Sequence, residues 1–192
     1  MGGILSVMTT YLLFHIHTIN LLFALGGLGL LVVTIALLYD YHCGSSVWYE
    51  QFIEPHVWIA IMAVSFGGVA STLLYSEVFG FVPCSLCWLQ RVALYPQALM
   101  SVVAFKQKDA THFPLYSMAL SAFGFIVGVY QYIYQALPAE LLESGLMPCL
   151  ADGSADCSKK VMEVFGFVTF PFLSAVLFAF LFVVYLHMRR AR

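Results

Sequence analysis

Two cysteines separated by two residues, Cys84 and Cys87, lie in the run Pro83-Cys84-Ser85-Leu86-Cys87-Trp88-Leu89-Gln90-Arg91, which continues to Tyr95-Pro96. That spacing closes a small, strained disulfide and so makes a redox pair, or it supplies half of a metal site. Arg91 follows Cys87 by four residues. On a helix that starts near Cys87 the two side chains share one face, one turn apart. A fixed cation beside a thiol favours the thiolate, the species that reacts. Residues 92–105 carry no charge. Arg91 therefore stands at the mouth of an apolar segment, where an arginine is costly and marks function.

A second pair, Cys149 and Cys157, has seven residues between its members and lies in a polar stretch with Asp152-Gly153-Ser154 between them. Two pairs read as a relay. Thiol–disulfide exchange needs a thiolate, an accessible disulfide and a leaving sulfur. A soluble protein can reach a polar loop, and a lipid-soluble oxidant can reach a pair at a membrane surface. Access alone orders the electron flow: soluble dithiol, loop disulfide, helix-mouth disulfide, small hydrophobic oxidant. The fifth cysteine, Cys43, reads as a free thiol.

The elements that position these residues follow from composition. Of 192 residues 62% are hydrophobic and 9% charged, against about 25% charged in a soluble domain. The chain is a membrane protein, and its net charge near zero gives no reason to expect a nucleic-acid partner. A span takes about 20 residues. Spans are expected at 20–39, 57–76, 87–105, 113–134 and 164–187. Residues 4–18 form an interfacial lead-in or an extension of the first span, and 40–56 a polar linker. Pro96 should kink the third span, and Pro171 lies inside the fifth. Gly67-Gly68, Gly124 and Gly128 are small packing residues. His15 and His17 fall on different helix faces, so they read as packing polar groups and not as a ligand pair. Met1-Gly2-Gly3-Ile4-Leu5-Ser6 fits a myristoylation pattern by chance.

Five of the eight basic residues, Lys106, Lys108, Arg189, Arg190 and Arg192, fall on one side. The positive-inside rule makes that side cytoplasmic. Both cysteine pairs then face outward, where a bacterium keeps disulfides. Parity places the N-terminus outside and Cys43 inside.

The run from Pro83 to Arg91 with Tyr95-Pro96, the pair Cys149 and Cys157, and Phe165-Gly166-Phe167-Val168-Thr169-Phe170-Pro171 together resemble the signature of the bacterial disulfide bond formation protein DsbB and its Bacillus-type relatives (BdbC-like). The resemblance covers about residues 57–187. It implies an all-α membrane protein with a four-helix transmembrane catalytic bundle over 57–192; residues 1–56 lie outside the resemblance, and their apolar run adds an extra N-terminal transmembrane helix and linker. It implies a protein-disulfide:quinone oxidoreductase in the bacterial cytoplasmic (inner) membrane. In such a protein a DsbA-like thioredoxin-fold partner forms its mixed disulfide with Cys149, Cys157 attacks Cys84, and the thiolate released on Cys87 faces a quinone (ubiquinone or menaquinone) beside Arg91.

Rival readings have their own signatures. A vitamin K epoxide reductase-like enzyme shares the quinone and the relay, but there the loop pair precedes the C-x-x-C; here Cys84 and Cys87 come first. A zinc site would use the same four cysteines, without the usual knuckle glycine or a nearby histidine. A disulfide-pinned scaffold leaves Arg91 without a purpose. A transporter would show internal repeats.

Overall fold

A computed structural model of the chain describes residues 14–44, 48–137 and 157–190. Among these, five long helices appear: α1 (Ile16–Cys43), α2 (Val57–Leu73), α3 (Ser85–Gln107), α4 (Phe113–Ala136) and α5 (Phe170–Arg190). Short π and 3-10 turns precede α2 and a π turn follows it, so one continuous apolar rod runs over Tyr49–Val78. That rod, α1, α4 and α5 are long and apolar enough to cross a membrane. The fold class is an all-α membrane protein.

Helix α3 has the length of a span, 23 residues, but a less apolar sequence. Its Arg91, Gln97 and Ser101 are buried. Polar groups at membrane depth must face protein partners, and these do: Ser121 and Tyr185 both donate to Gln97 Oε1, at 3.0 and 3.4 Å. The helix continues through Pro96.

Helices α2 to α5 form the bundle, with α4 and α5 in the most extensive contact. Two glycines bring them together. A Cβ on Gly124 would lie 2.4 Å from the Phe178 ring, and one on Gly128 would press on the Ala175 backbone at 3.2 Å. Phe178, Leu181, Val184 and Tyr185 of α5 fill the core against Ile61, Ala93, Leu94 and Phe113.

Helix α1 lies outside this ring and packs chiefly on α5. Its lower end is pinned by polar contacts. His187 Nε2 donates to Leu37 O at 2.9 Å, Arg190 Nη1 donates to Tyr41 O at 2.6 Å, and the His187 ring stacks on Tyr49 at 4.6 Å.

Three expectations are corrected. The stretch 40–56 is not simply a polar linker: α1 runs on to Cys43 and ends on left-handed Gly44, a common helix stop. Asp40 is fully buried and accepts the Tyr49 N–H at 3.1 Å. The fifth span starts at Phe170, not at residue 164. Before it comes a hairpin, β1 (Glu163–Val164) against β2 (Val168–Thr169), turned by Phe165 and Gly166 at positive φ. Pro171 is then the second residue of α5, in the first turn, where its missing N–H costs nothing.

Candidate functional site

The C-x-x-C pair sits where an extended segment enters α3. Cys84 is the N-cap residue, with extended backbone, and its Sγ accepts the Cys87 N–H at 3.4 Å. This is the cap role a serine plays elsewhere, and it puts both sulfurs at one helix mouth, 2.9 Å apart. Both are free thiols, Cys84 buried and Cys87 half-buried. The hydrogen bond with Cys87 and then burial push the Cys84 thiol well above its ordinary range.

Arg91 lies one turn below Cys87, as helical spacing requires. It is 8% exposed. Its Nη2 donates to Thr72 O at 2.9 Å, and its guanidinium lies 5.1 Å from the Trp88 ring centroid. Thr72 is held in turn by Tyr95, hydroxyl to hydroxyl at 2.9 Å. The cation is thus fixed between α2 and α3 and lines the cavity that Cys87 also lines.

Sequence reasoning missed Gln131 and Gln135. These lie one turn apart on α4 and face the two halves of the site. Gln131 Nε2 donates to Cys84 Sγ at 3.4 Å and to Cys87 Sγ at 3.5 Å. Gln135 Nε2 donates to Cys157 O at 3.2 Å and to Lys159 O at 3.4 Å. The available signal was an i, i+4 pair of amides on an uncharged span, which requires partners.

Cys157 is disulfide-bonded and only 1% exposed. It belongs to one buried cluster with Cys84, Leu86, Val127 and Tyr134, against which Cys87 packs. Its Sγ is 3.9 Å from the hydroxyl of Ser85, the neighbour of Cys84. Cys149 lies outside the described residues. The open, solvent-reached position expected for the second pair does not hold for Cys157. Its sulfur is packed against the helix mouth because the bundle top, Leu86 and Val127, offers apolar surface there.

A cavity of about 140 Å³ opens beside the pair, bounded by Cys84, Cys87, Arg91 and Gln131, with apolar walls from Phe81 and Leu94. Tyr75 also lines it and donates a short hydrogen bond to Asn20 Oδ1 of α1. The site can do dithiol–disulfide chemistry at a buried helix mouth, beside the buried Arg91 cation and the amide donors of Gln131 and Gln135.

A model of the family described as disulfide bond formation protein DsbB matches residues 54–188. The chain is 36% identical over 124 residues to the SPbeta prophage-derived disulfide bond formation protein B of Bacillus subtilis (strain 168), which covers 65% of this chain and 79% of that one. It is 35% identical over 128 residues to a probable disulfide formation protein of Oceanobacillus iheyensis, over 67% of this chain and 85% of that one. It is 32% identical over 121 residues to disulfide bond formation protein C of Bacillus subtilis (strain 168), over 63% and 80%. No solved structure matches the chain significantly. The matched stretch takes in both cysteine pairs, the bundle and the hairpin, and leaves out α1; the chain belongs to the DsbB family of membrane disulfide bond formation proteins.

Proposed function

We propose that this protein reoxidises a thioredoxin-fold, DsbA-like thiol oxidase outside the cytoplasmic membrane and passes the electrons to a membrane quinone. The observation that carries the reading is the packing of Cys157 into the same buried cluster as Cys84, above a cavity that holds Cys87 and Arg91.

The steps balance as sulfur exchange. A partner thiolate attacks Cys149, the Cys149–Cys157 bond breaks, and Cys157 leaves as thiolate. The partner's second thiol then displaces Cys149, which leaves the partner oxidised. Cys157 attacks Cys84 Sγ, the Cys84–Cys87 bond breaks, and Cys87 leaves as thiolate. Cys149 displaces Cys84 from Cys157 and restores the loop disulfide. The helix-mouth pair is left as a dithiol, with two electrons and two protons to lose.

The cavity suits a quinone ring. Its walls are largely apolar, and its polar lining includes the donors Arg91, Gln131 and Lys159. A bound quinone supplies a two-electron, two-proton acceptor. Arg91 is then placed to hydrogen-bond an oxygen that gains charge and to offset the thiolate of Cys87. Gln131 holds both sulfurs in place. The basic ends of α3 and α5, with Lys106, Arg189 and Arg190, support an orientation with the cysteines outside.

The test is anaerobic quinone reduction by the purified protein with a reduced thioredoxin-fold donor. One quinol per donor dithiol is expected. Oxidised donor without quinol, or no reaction at all, contradicts the reading.

A further inference from the structure

A larger groove adjoins the cavity beside Cys87. This groove, about 400 Å³, lies between α1 and α2 with α5 as its floor. The two spaces share Thr72, Leu94, Phe170 and Ser174. The groove follows α2 down from Thr72 to Ala63, a depth of about 13 Å at 1.5 Å per residue.

Its shape is set by two Gly-Gly pairs. In each pair one glycine seats a helix. A Cβ on Gly27 would strike Leu173 of α5 at 2.1 Å, and one on Gly68 would strike Leu177 at 2.7 Å and Leu94 at 2.9 Å. The other glycine leaves the wall bare: nothing lies within 4 Å of a Cβ on Gly26 or Gly67. Helix α1 therefore leans on α5 and leaves a gap towards α2. The gap is lined by apolar side chains apart from three hydroxyls.

We propose that this groove seats the apolar tail of the electron acceptor, a lipid-borne quinone whose ring lies beside Cys87, and that the N-terminal helix α1 is present to wall it. The inference rests on the quinone reading above. Three observations support it. The ring cavity alone is small, whereas the groove has the size of sites that hold small molecules, about 300–1,000 Å³. An open apolar groove forfeits dispersion contacts along its lining, so an apolar chain gains by lying in it. The groove also meets the redox cavity at Thr72, whose carbonyl holds Arg91, so a chain in it ends at the cation and the sulfurs.

The test uses Gly26→Leu and Gly67→Leu, which fill the gap from opposite walls with residues that favour helix over glycine. Gly29→Leu is the control, on the exposed side of α1 with open space around it and away from the groove. The readout is quinone binding to the purified protein by tryptophan fluorescence, with a long-tailed quinone and a tail-less one sharing the same ring. The unsubstituted protein should bind the tailed form more tightly. Each groove variant should weaken the tailed form about tenfold, the equivalent of roughly two buried methylenes, and leave the tail-less form within twofold; Gly29→Leu should change neither. Equal weakening of both quinones, or no change in either, overturns the tail assignment while the quinone reading stands. A phospholipid that stays in the groove under saturating tailed quinone also overturns it. If the unsubstituted protein binds neither quinone, the quinone reading itself has failed, and the groove assignment with it.

Discussion

Gln90 Nε2 donates to Gln131 Oε1 at 2.6 Å, and that bond decides which way the Gln131 amide faces. With its oxygen occupied by Gln90, its NH2 group is turned to the two sulfurs. A donor shared by both members of the pair can stabilise whichever sulfur carries charge. Gln131→Leu keeps the volume and removes both bonds. The expected result is a fall of about tenfold in kcat for quinone reduction, as for loss of a hydrogen bond to a charged group, with the KM for the protein donor unchanged. Gln90→Leu should show a milder form of the same loss. A changed donor KM with normal kcat would place Gln131 in partner docking instead.

Cys149→Ala should block transfer from the protein donor and leave a small dithiol able to reduce quinone through Cys84 and Cys87. The reason is the division of labour between a pair in a polar stretch and a pair at a helix mouth that borders a largely apolar cavity. Parallel assays with the two donors check it. Equal loss with both donors contradicts it.

Arg91 should serve the quinone step and not the partner step. It faces the cavity beside Cys87 and is fixed by Thr72 and Trp88. Arg91→Ala should cut quinone turnover about a hundredfold, the effect of losing one such donor, about 3 kcal/mol. Arg91→Lys keeps the charge without the planar fork and should recover only part of this. Mixed-disulfide formation at Cys149 should stay near normal in both. Collapse of that step, with quinone turnover by a small dithiol intact, assigns Arg91 to the wrong half of the relay.

Cys43 reports topology. It is an exposed free thiol at the end of α1, on the same side as Arg190. Impermeant thiol reagents should label it from the cytoplasmic side only. Labelling from outside in intact cells reverses the orientation of α1 and of the site with it.

The helices and the C-x-x-C with its arginine were legible because their signals are local. Apolar runs of span length mark α1, α2, α4 and α5, and Cys87 and Arg91 meet through helical spacing alone. What escaped depends on contacts distant in sequence. Asp40 reads as a linker residue, yet it is buried against the Tyr49 N–H. Gln131 gains its role only when α4 packs on α3. Residues 164–169 read as the start of a span because they are largely apolar, although Phe165-Gly166 turns a hairpin there. Cys157 lies in a polar stretch and is nevertheless buried, because its partners Leu86 and Val127 come from two other helices.

Exchange between Cys157 and Cys84 is the step that links the two cysteine pairs. Cys87→Ala removes the in-motif partner of Cys84 and should trap the step between the pairs. Non-reducing peptide mapping of that variant, purified with free thiols blocked, should find Cys84 joined to Cys157 and Cys149 free. Cys84 recovered as a blocked thiol, or joined to Cys149, contradicts the relay.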